Sequence, residues 1–191
     1  MKTTSQRILD AATLVFARAG VTGATTREIA REAKVNEVTL FRHFKNKEEL
    51  LHQVVLQFSL HFEELFTEAS FETPADLRRT VHAFATTYSK MLYDNQDFIR
   101  TFFGEMHRHQ DLCKRLFVDS SKSSRQRLID YLKAAQKAGL VGKKVHIDTA
   151  ADALTGMLLH GMLKRPMTES KYTVERYLKT CLELFLKGIE P

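Results

Sequence analysis

Residues 25–51 read TTREIAREAKVNEVTLFRHFKNKEELL, and this stretch decides the fold. Thr25 and Glu28 form a capping-box pair, which predicts a short helix that begins here and runs through Ala33. Asn36 is placed to cap a second short helix. The inward positions of both helices hold apolar residues, namely Ile29, Ala30, Ala33, Val35, Leu40 and Phe44. The stretch therefore predicts a helix-turn-helix unit, whose second helix has the size to enter a DNA major groove.

The rest of the chain also has the apolar periodicity of helices, and a strand-like alternation is never sustained. The first helix is predicted from an apolar stripe formed by Ile8, Leu9, Ala12, Val15 and Phe16. We expect an all-α fold of about nine helices. An N-terminal three-helix helix-turn-helix domain is predicted over residues 1–48, and a helical ligand-binding and dimerisation domain over residues 49–191.

Several helix ends are also predicted from single residues. Gly20 lies where the C-terminal glycine of the first helix belongs. Asn46 and Glu49 repeat the cap pattern and predict the start of a long fourth helix. Asp148 is expected to open the eighth helix, and Gly188 is expected to close the ninth.

Residues 8–51 carry a pattern that extends beyond the two short helices. The spaced residues read ILDAA…F…G…TTREIA…A-x-V…TLF-x-HF-x-x-KEEL. This pattern resembles the N-terminal domain of the TetR family of transcription regulators. The resemblance implies a DNA-binding homodimer and an effector pocket among the middle helices. Because a two-fold dimer places its recognition helices about one DNA turn apart, roughly 34 Å, the operator is expected to be near-palindromic.

The resemblance implies phosphate contacts from four side chains. Lys47 follows the Asn46 cap at a helix N-terminus, where its charge and the free N–H groups attract phosphate. His43 and Thr26 are expected to touch the DNA backbone, and Arg27 to reach a phosphate or a guanine edge. Alternatives remain open at this point: Lys47 and Arg27 as ordinary solvated charges, and His43 as a local packing residue.

Base contacts are implied for the outward face of the third helix. Glu37 can accept from cytosine N4, while Val38 and the methyl group of Thr39 can pack on a thymine methyl. Asn36 and Phe41 complete this predicted DNA-binding surface. Glu37 has a second interpretation, as a helix-surface charge that repels DNA.

Three positions depart from the family pattern. Lys34 occupies the turn position where glycine is usual, so the turn has to accept a strained φ or adopt another geometry. Val38 stands where a small residue is common. Phe41 replaces a tyrosine and therefore lacks a hydroxyl group that could bind phosphate.

The last two helices are the predicted dimer interface, because their apolar surfaces are wide enough to need burial on more than one side. The interface residues are Leu154, Met157, Leu158, Gly161, Val174, Leu178, Cys181, Leu182 and Phe185. A four-helix bundle between two subunits is expected, as the resemblance also implies. The alternative is a thick core within one subunit.

The middle helices are rich in aromatic residues and methionine, where similar proteins keep an effector pocket. The predicted pocket residues are Phe62, Phe66, Phe84, Tyr88, Phe102, Phe103, Met106, Phe117 and Met157. This lining favours a small apolar or aromatic ligand, because few charges could be buried there unpaired. For any single one of these residues, a place in an ordinary hydrophobic core is the favoured alternative.

Composition limits where the protein acts. The net charge of +6 and the nine Lys and Arg against six Asp and Glu in residues 1–50 are compatible with nucleic-acid binding. Two cysteines, Cys113 and Cys181, do not indicate a disulfide framework. The N-terminus enters a helical pattern at once, and the uncharged stretches are too short to span a membrane. We expect a cytoplasmic protein without a membrane partner.

The sequence carries no motif for catalysis, cofactor binding or metal binding. It has no GxSxG, no phosphate-cradling glycine loop and no His-x-x-x-His or Cys-x-x-Cys pair. Its expected function is that of a homodimeric repressor released from its operator by a small ligand. An activator of the same fold, a DNA-compacting protein without sequence preference, and an enzyme that kept the fold are the alternatives.

Overall fold

The computed structural model describes residues 2–65, 76–105, 125–165 and 172–191, and these residues form helices and connecting turns without a strand. The helices are α1 (Thr4–Gly23), α2 (Thr26–Glu32), α3 (Glu37–His43), α4 (Lys47–Leu65), α5 (Leu77–Asp94), α6 (Gln96–Glu105), α7, described over residues 125–137, α8 (Ile147–Lys164) and α9 (Val174–Ile189). The predicted all-α fold is confirmed. Among the described residues, no helix combines the length and apolar character needed to cross a membrane.

The three predicted caps in the N-terminal region are confirmed. The Thr25 hydroxyl accepts from the Glu28 amide at 3.1 Å. The Asn36 side chain accepts from the amide of Thr39 at 2.7 Å, and Asn46 does the same for Glu49 at 2.7 Å. Each such cap satisfies an amide that the helix itself leaves unpaired, a contribution of about 1 kcal/mol.

Two predicted helix ends are wrong by one or two residues. The eighth helix begins at Ile147 instead of Asp148, because the His146 imidazole serves as its cap and accepts from the amide of Thr149 at 3.4 Å. The last helix runs through Gly188 to Ile189. At Gly20 the backbone leaves helical geometry with φ 76°, as predicted, but helical turns resume up to Gly23.

Packing separates the described residues into two units. The first contains residues 2–59 and 95–105. Its core is formed by fully buried side chains from α1 to α4, namely Ile8, Ala12, Val15, Phe16, Ile29, Leu40, Leu50, Leu51 and Val54. Helix α6 packs on α1, where the Thr101 hydroxyl donates to the carbonyl oxygen of Ala17 at 2.9 Å.

The second unit contains residues 60–65, 76–94, 125–165 and 172–191. Its core is apolar and draws on α5, α7, α8 and α9, with Phe84, Leu128, Ile129, Leu132, Leu154, Leu158 and Met162 almost fully buried. The chain between α7 and α8 is held to the end of α9, because the Gly142 amide donates to Ile189 at 2.8 Å. These two units are defined by contacts within the chain, so they do not test the boundary between a DNA-binding and a ligand-binding domain. That boundary, predicted at residue 48, stays a prediction.

Candidate DNA-binding site

Helices α2 and α3 form the predicted helix-turn-helix, with the apolar sides of both facing the core. Ile29 and Leu40 are completely buried, Ala30, Ala33 and Phe44 nearly so, and Val35 is half-buried. The opposite side of α3 exposes Asn36, Val38, Phe41, Arg42 and His43. Because α3 is anchored along one side, its other side is presented to a ligand in a fixed orientation.

The turn between α2 and α3 is a Schellman motif built around Lys34. The amide of Lys34 donates to Arg31 at 3.1 Å, and that of Val35 donates to Ala30 at 2.9 Å. Lys34 has φ 56°, and no other described residue except glycine has a positive φ. The turn therefore accepts the strained backbone, which costs about 1–2 kcal/mol for a residue with a Cβ atom.

Arg7 of α1 holds this turn from outside. Its guanidinium donates to the carbonyl oxygens of Ala33 at 2.5 Å and Lys34 at 3.1 Å. Two carbonyls at a helix C-terminus carry partial negative charge, so a cation is favourable there. Arg7 was not among the predicted site residues, and its contact spans more than 25 positions of sequence, which leaves no local signal.

The end of α7 provides the same motif with glycine in the strained position. The amide of Gly139 donates to Gln136 at 3.1 Å, and that of Leu140 donates to Ala135 at 2.9 Å. Gly139 has φ 80°, and a Cβ atom built there would meet nothing within 4 Å. The two turns therefore differ in whether the left-handed residue carries a side chain.

This pair of turns predicts opposite effects for two reciprocal substitutions. Lys34→Gly relieves backbone strain, which stabilises the folded state, but it also makes the unfolded chain more flexible, which offsets part of that gain. The free energy of unfolding should therefore rise by up to about 1 kcal/mol. Gly139→Ala should lower it by about 1 kcal/mol, since backbone strain is the cost that the new methyl group introduces there. Urea denaturation of both variants measures the two shifts. Destabilisation by Lys34→Gly would contradict the assignment of strain to this φ.

The predicted DNA contacts differ in exposure. Arg27, Asn36, Val38, Phe41 and His43 are exposed, while Thr26, Glu37, Thr39 and Lys47 are half-buried. Val38 is 78% exposed and Phe41 is 47% exposed, and they are two of the five large apolar side chains that are exposed in the described part of the chain. Arg31 was not among the predicted contacts. It lines a surface hollow on α2 together with Thr25, Arg27 and Glu28, and its i,i+4 spacing from Arg27 is a signal that could have identified it.

Two of the half-buried residues bind each other across the two helices. The Thr26 hydroxyl at the start of α2 donates to a carboxylate oxygen of Glu37 at the start of α3, at 2.8 Å. This bond fixes the Glu37 carboxylate on the side of α2. It also gives the two short helices a polar connection in addition to their apolar contact.

Lys47 reaches from the first residue of α4 to the connection between α1 and α2. Its ammonium group donates to the carbonyl oxygens of Thr22 at 3.3 Å and Ala24 at 3.0 Å. An ammonium group has three N–H donors, so these two bonds leave one for a further acceptor. Lys47 therefore ties α4 to the loop that precedes the helix-turn-helix.

Sequence comparisons agree with this geometry. The family profile "Bacterial regulatory proteins, tetR family" matches residues 8–54, and the profile "AefR-like transcriptional repressor, C-terminal domain" matches residues 75–187. The chain belongs to the TetR family. It is 30% identical to the "Uncharacterized HTH-type transcriptional regulator YvkB" of Bacillus subtilis (strain 168), over 99% of this chain and 98% of that protein. As a TetR-family member, it is a transcriptional regulator with a DNA-binding helix-turn-helix domain.

Two further regulators match along nearly the whole chain. The HTH-type transcriptional regulator AcrR of Shigella flexneri is 25% identical over 96% of this chain and 89% of its own length. The solved structure of the fatty acid degradation regulator FadR from Bacillus halodurans has a TM-score of 0.82 at 20% identity, covering 97% of this chain and 96% of that one. The fold of the whole chain is therefore that of the family.

The predicted pocket residues fall into three groups. Phe102 and Phe103 belong to the first unit, and Phe84, Tyr88 and Met157 to the second. Phe84 stacks on Tyr88 with ring centroids 5.7 Å apart, and burial raises the pKa of Tyr88 to about 12. The side chain of Phe62 and the residues Phe66, Met106 and Phe117 lie outside the described part. The pocket itself stays a prediction.

Most of the predicted dimer residues lie in the core of the subunit. Leu154, Leu158, Gly161, Cys181, Leu182 and Phe185 are buried within one chain, and Met157, Val174 and Leu178 are half-buried. Helices α8 and α9 pack on each other, and both also pack on α5. The dimer interface at these residues stays a prediction.

Gly161 shows how closely α8 and α9 pack. A Cβ atom at this position would overlap the ring of Tyr177 and stand 2.8 Å from its Cδ1 and Cζ atoms. The Tyr177 hydroxyl donates to the carbonyl oxygen of Met157 at 2.8 Å, and its ring stacks on Tyr172. Burial raises the pKa of Tyr177 to about 12, so the hydroxyl stays a donor further into the alkaline range than an exposed tyrosine does.

Proposed function

We propose that this TetR-family regulator is a homodimeric repressor, which binds a near-palindromic operator and is released by a small apolar or aromatic ligand. The proposal rests on the outward side of α3, which is exposed while the other side of the same helix is buried in the core. The similarity of residues 75–187 to an AefR-like repressor domain supports repression over activation. The matching family is one of bacterial regulatory proteins, and bacterial DNA lies in the cytoplasm, so we propose a cytoplasmic location.

Phosphate binding is proposed for Arg27, His43 and Lys47, and for Thr26 in exchange for its bond to Glu37, because the single hydroxyl proton of Thr26 is donated to that carboxylate. The exposure of Arg27 and His43 supports direct contact with the DNA backbone. Lys47 keeps one N–H donor beyond its two carbonyl partners, and this donor can bind a phosphate without breaking the tie to α1. Such an arrangement would link phosphate binding to the position of α4.

The proposed dimer uses exposed positions on the last two helices. On α8 these are Ala153, Gly156 and His160, and on α9 they are Thr180, Leu184 and Gly188. The spacing of three or four residues places each set along one side of its helix. Small residues allow close approach of a second copy, and Leu184 supplies an apolar side chain that is 62% exposed. A two-fold arrangement would present two copies of α3 to successive major grooves.

The effector is proposed to bind among the aromatic side chains of the middle helices. Within the second unit, Phe84 is buried and Tyr88 stacks on it, so the described surroundings of these two side chains are predominantly apolar. A ligand that entered such surroundings would have to be apolar or aromatic itself, because buried charges there would lack partners.

Selection of bound fragments from genomic DNA tests the proposed function. We expect an inverted repeat whose half-sites lie about one helical turn apart. Lys47→Ala should weaken binding to all duplexes alike and reduce the slope of log K against log salt by about 0.9, the value for one phosphate contact. Lys137→Ala, at an exposed lysine of the second unit, is the control and should change neither quantity. Equal affinity for unrelated duplexes at physiological salt would overturn the proposal.

A further inference from the structure

The charged residues of α2 form two separate pairs on the surface of this helix. Arg27 and Arg31 are four positions apart, which places them along one edge of the helix, and both line the same surface hollow. Glu28 and Glu32 are spaced in the same way along the next edge. Because like charges one turn apart destabilise a helix, each pair favours a partner of opposite charge from outside α2.

Arg18 of α1 is that partner for the two glutamates. Its guanidinium forms an ion pair with Glu28 at 2.7 Å and lies 3.9 Å from the carboxylate of Glu32. Glu28 also stands three positions before Arg31, a spacing at which two side chains of a helix can pair. The carboxylate of Glu28 is instead turned towards α1, which leaves Arg31 exposed and without an ion pair in the described part of the chain. Arg18 therefore keeps Arg31 available for another anion.

We propose that Arg31 binds a phosphate of the operator backbone and that Arg18 is a positioning residue for this contact, an inference that rests on the proposed function. A DNA backbone that reaches Arg27 also comes close to Arg31, because both side chains line one hollow. A guanidinium presents its N–H donors in a fork that matches the oxygens of a phosphate group. Arg18 acts through Glu28, because a carboxylate released from α1 would pair with Arg31 and compete with the phosphate.

Duplex DNA fits this edge of α2 better than an acidic protein does. Thr26, at the start of α2, donates to Glu37 of α3 at 2.8 Å, so the first turn of α2 lies beside the helix that we propose enters the major groove. Two further exposed side chains of α3, Arg42 and His43, are basic. Basic side chains on both sides of a groove-binding helix match the phosphates that line the edges of that groove.

The binding of a duplex recovered by selection, measured from low to physiological salt, tests the role of Arg31. Arg31→Ala should weaken binding roughly tenfold at low salt. It should also reduce the slope of log K against log salt by about 0.9, the value for one phosphate contact. Arg31→Lys keeps the charge and should retain most of the slope. Lys137→Ala is the control for the loss of a positive charge and should change neither quantity.

Three variants of the pair formed by Arg18 and Glu28 test the positioning role. Arg18→Ala should weaken binding about two- to fivefold, the range for an exposed ion pair. Glu28→Gln removes the competing carboxylate, keeps a residue suited to the capping box, and should bind at least as tightly as the unaltered protein. Arg18→Ala combined with Glu28→Gln should also bind as the unaltered protein does. A pair that served only to tie α1 to α2 would give the opposite result, because Glu28→Gln alone would then weaken binding as much as Arg18→Ala.

The outcomes separate this inference from the proposed function. If Lys47→Ala reduces the salt slope and Arg31→Ala does not, the phosphate contact of Arg31 is refuted while the proposed function stands. If Arg18→Ala weakens binding equally with glutamate and with glutamine at position 28, Arg18 does not act through that carboxylate and its positioning role is refuted. If selection recovers no sequence preference but Arg31→Ala still reduces the slope on an arbitrary duplex, the proposed function fails and the phosphate contact stands.

Discussion

Replacing Gly161 by alanine is expected to lower the free energy of unfolding by about 2–3 kcal/mol, the upper part of the range for overpacking a core. The new methyl group would overlap the Tyr177 ring. The hydrogen bond from its hydroxyl to Met157 and the stacking on Tyr172, at a centroid distance of 5.7 Å, restrain this ring. Either the hydrogen bond breaks or α8 and α9 move apart, and both outcomes cost stability. Chemical denaturation followed by circular dichroism measures the loss.

Two further variants isolate the clash as the cause. Gly104→Ala makes the same change in the exposed part of α6, where a Cβ atom meets nothing within 4 Å. It should leave stability unchanged or raise it by up to about 1 kcal/mol, because alanine is the better helix former. In a Tyr177→Ala background, Gly161→Ala should no longer destabilise. If the full loss persisted in that background, the ring would not be its source.

Local signals explain why the helix-turn-helix could be predicted so closely. The caps at Thr25, Asn36 and Asn46 each join a side chain to an amide three residues later, so the whole interaction lies within one turn of sequence. The apolar residues at the inward positions of α2 and α3 are likewise visible as a periodic pattern. The resemblance to the TetR family rests on this same stretch, and the comparisons confirm it.

Local sequence signals do not predict contacts between residues that are far apart in the sequence. The clamp of Arg7 on the turn at Lys34 and the tie from Lys47 to Ala24 both join elements far apart in sequence. The sequence does not show which group a charged side chain contacts. Lys47 was therefore predicted to bind phosphate, and its hydrogen bonds to two backbone carbonyls were not foreseen. The hydrogen bond from Thr26 to Glu37 is a similar case, because both residues were assigned to DNA separately.

The apolar stripes of α8 and α9 show a different limit. A hydrophobic pattern tells which side of a helix has to be covered, but it does not tell whether the cover comes from the same subunit or from another. Leu154 and Leu158 are covered within the subunit, as are Cys181 and Leu182. The proposed dimer interface therefore uses the exposed residues beside them.

Replacing Leu184 by glutamate is expected to abolish the proposed dimer. Leu184 is 62% exposed and lies on α9 between Thr180 and Gly188, along the side that we propose faces a second copy. A two-fold interface contains each residue twice, so one substitution places two like charges in it. Losing a central interface residue costs about 2 kcal/mol or more of the dimerisation free energy, and the two-fold interface loses two of them. The dimer should therefore weaken by roughly a thousandfold. Light scattering should show a mass falling from twice 22.0 kDa to that of one chain.

Leu14→Glu is the matched control for this experiment. Leu14 is 60% exposed, so the same change introduces the same charge on an apolar surface of similar size, but on α1. The mass of this variant should remain that of the dimer. The Leu184→Glu monomer should also lose affinity for an inverted repeat while it binds an isolated half-site as the unaltered protein does, because its α3 surface is intact. A dimer that survived Leu184→Glu, or that dissociated equally with Leu14→Glu, would place the interface elsewhere than on this side of α9.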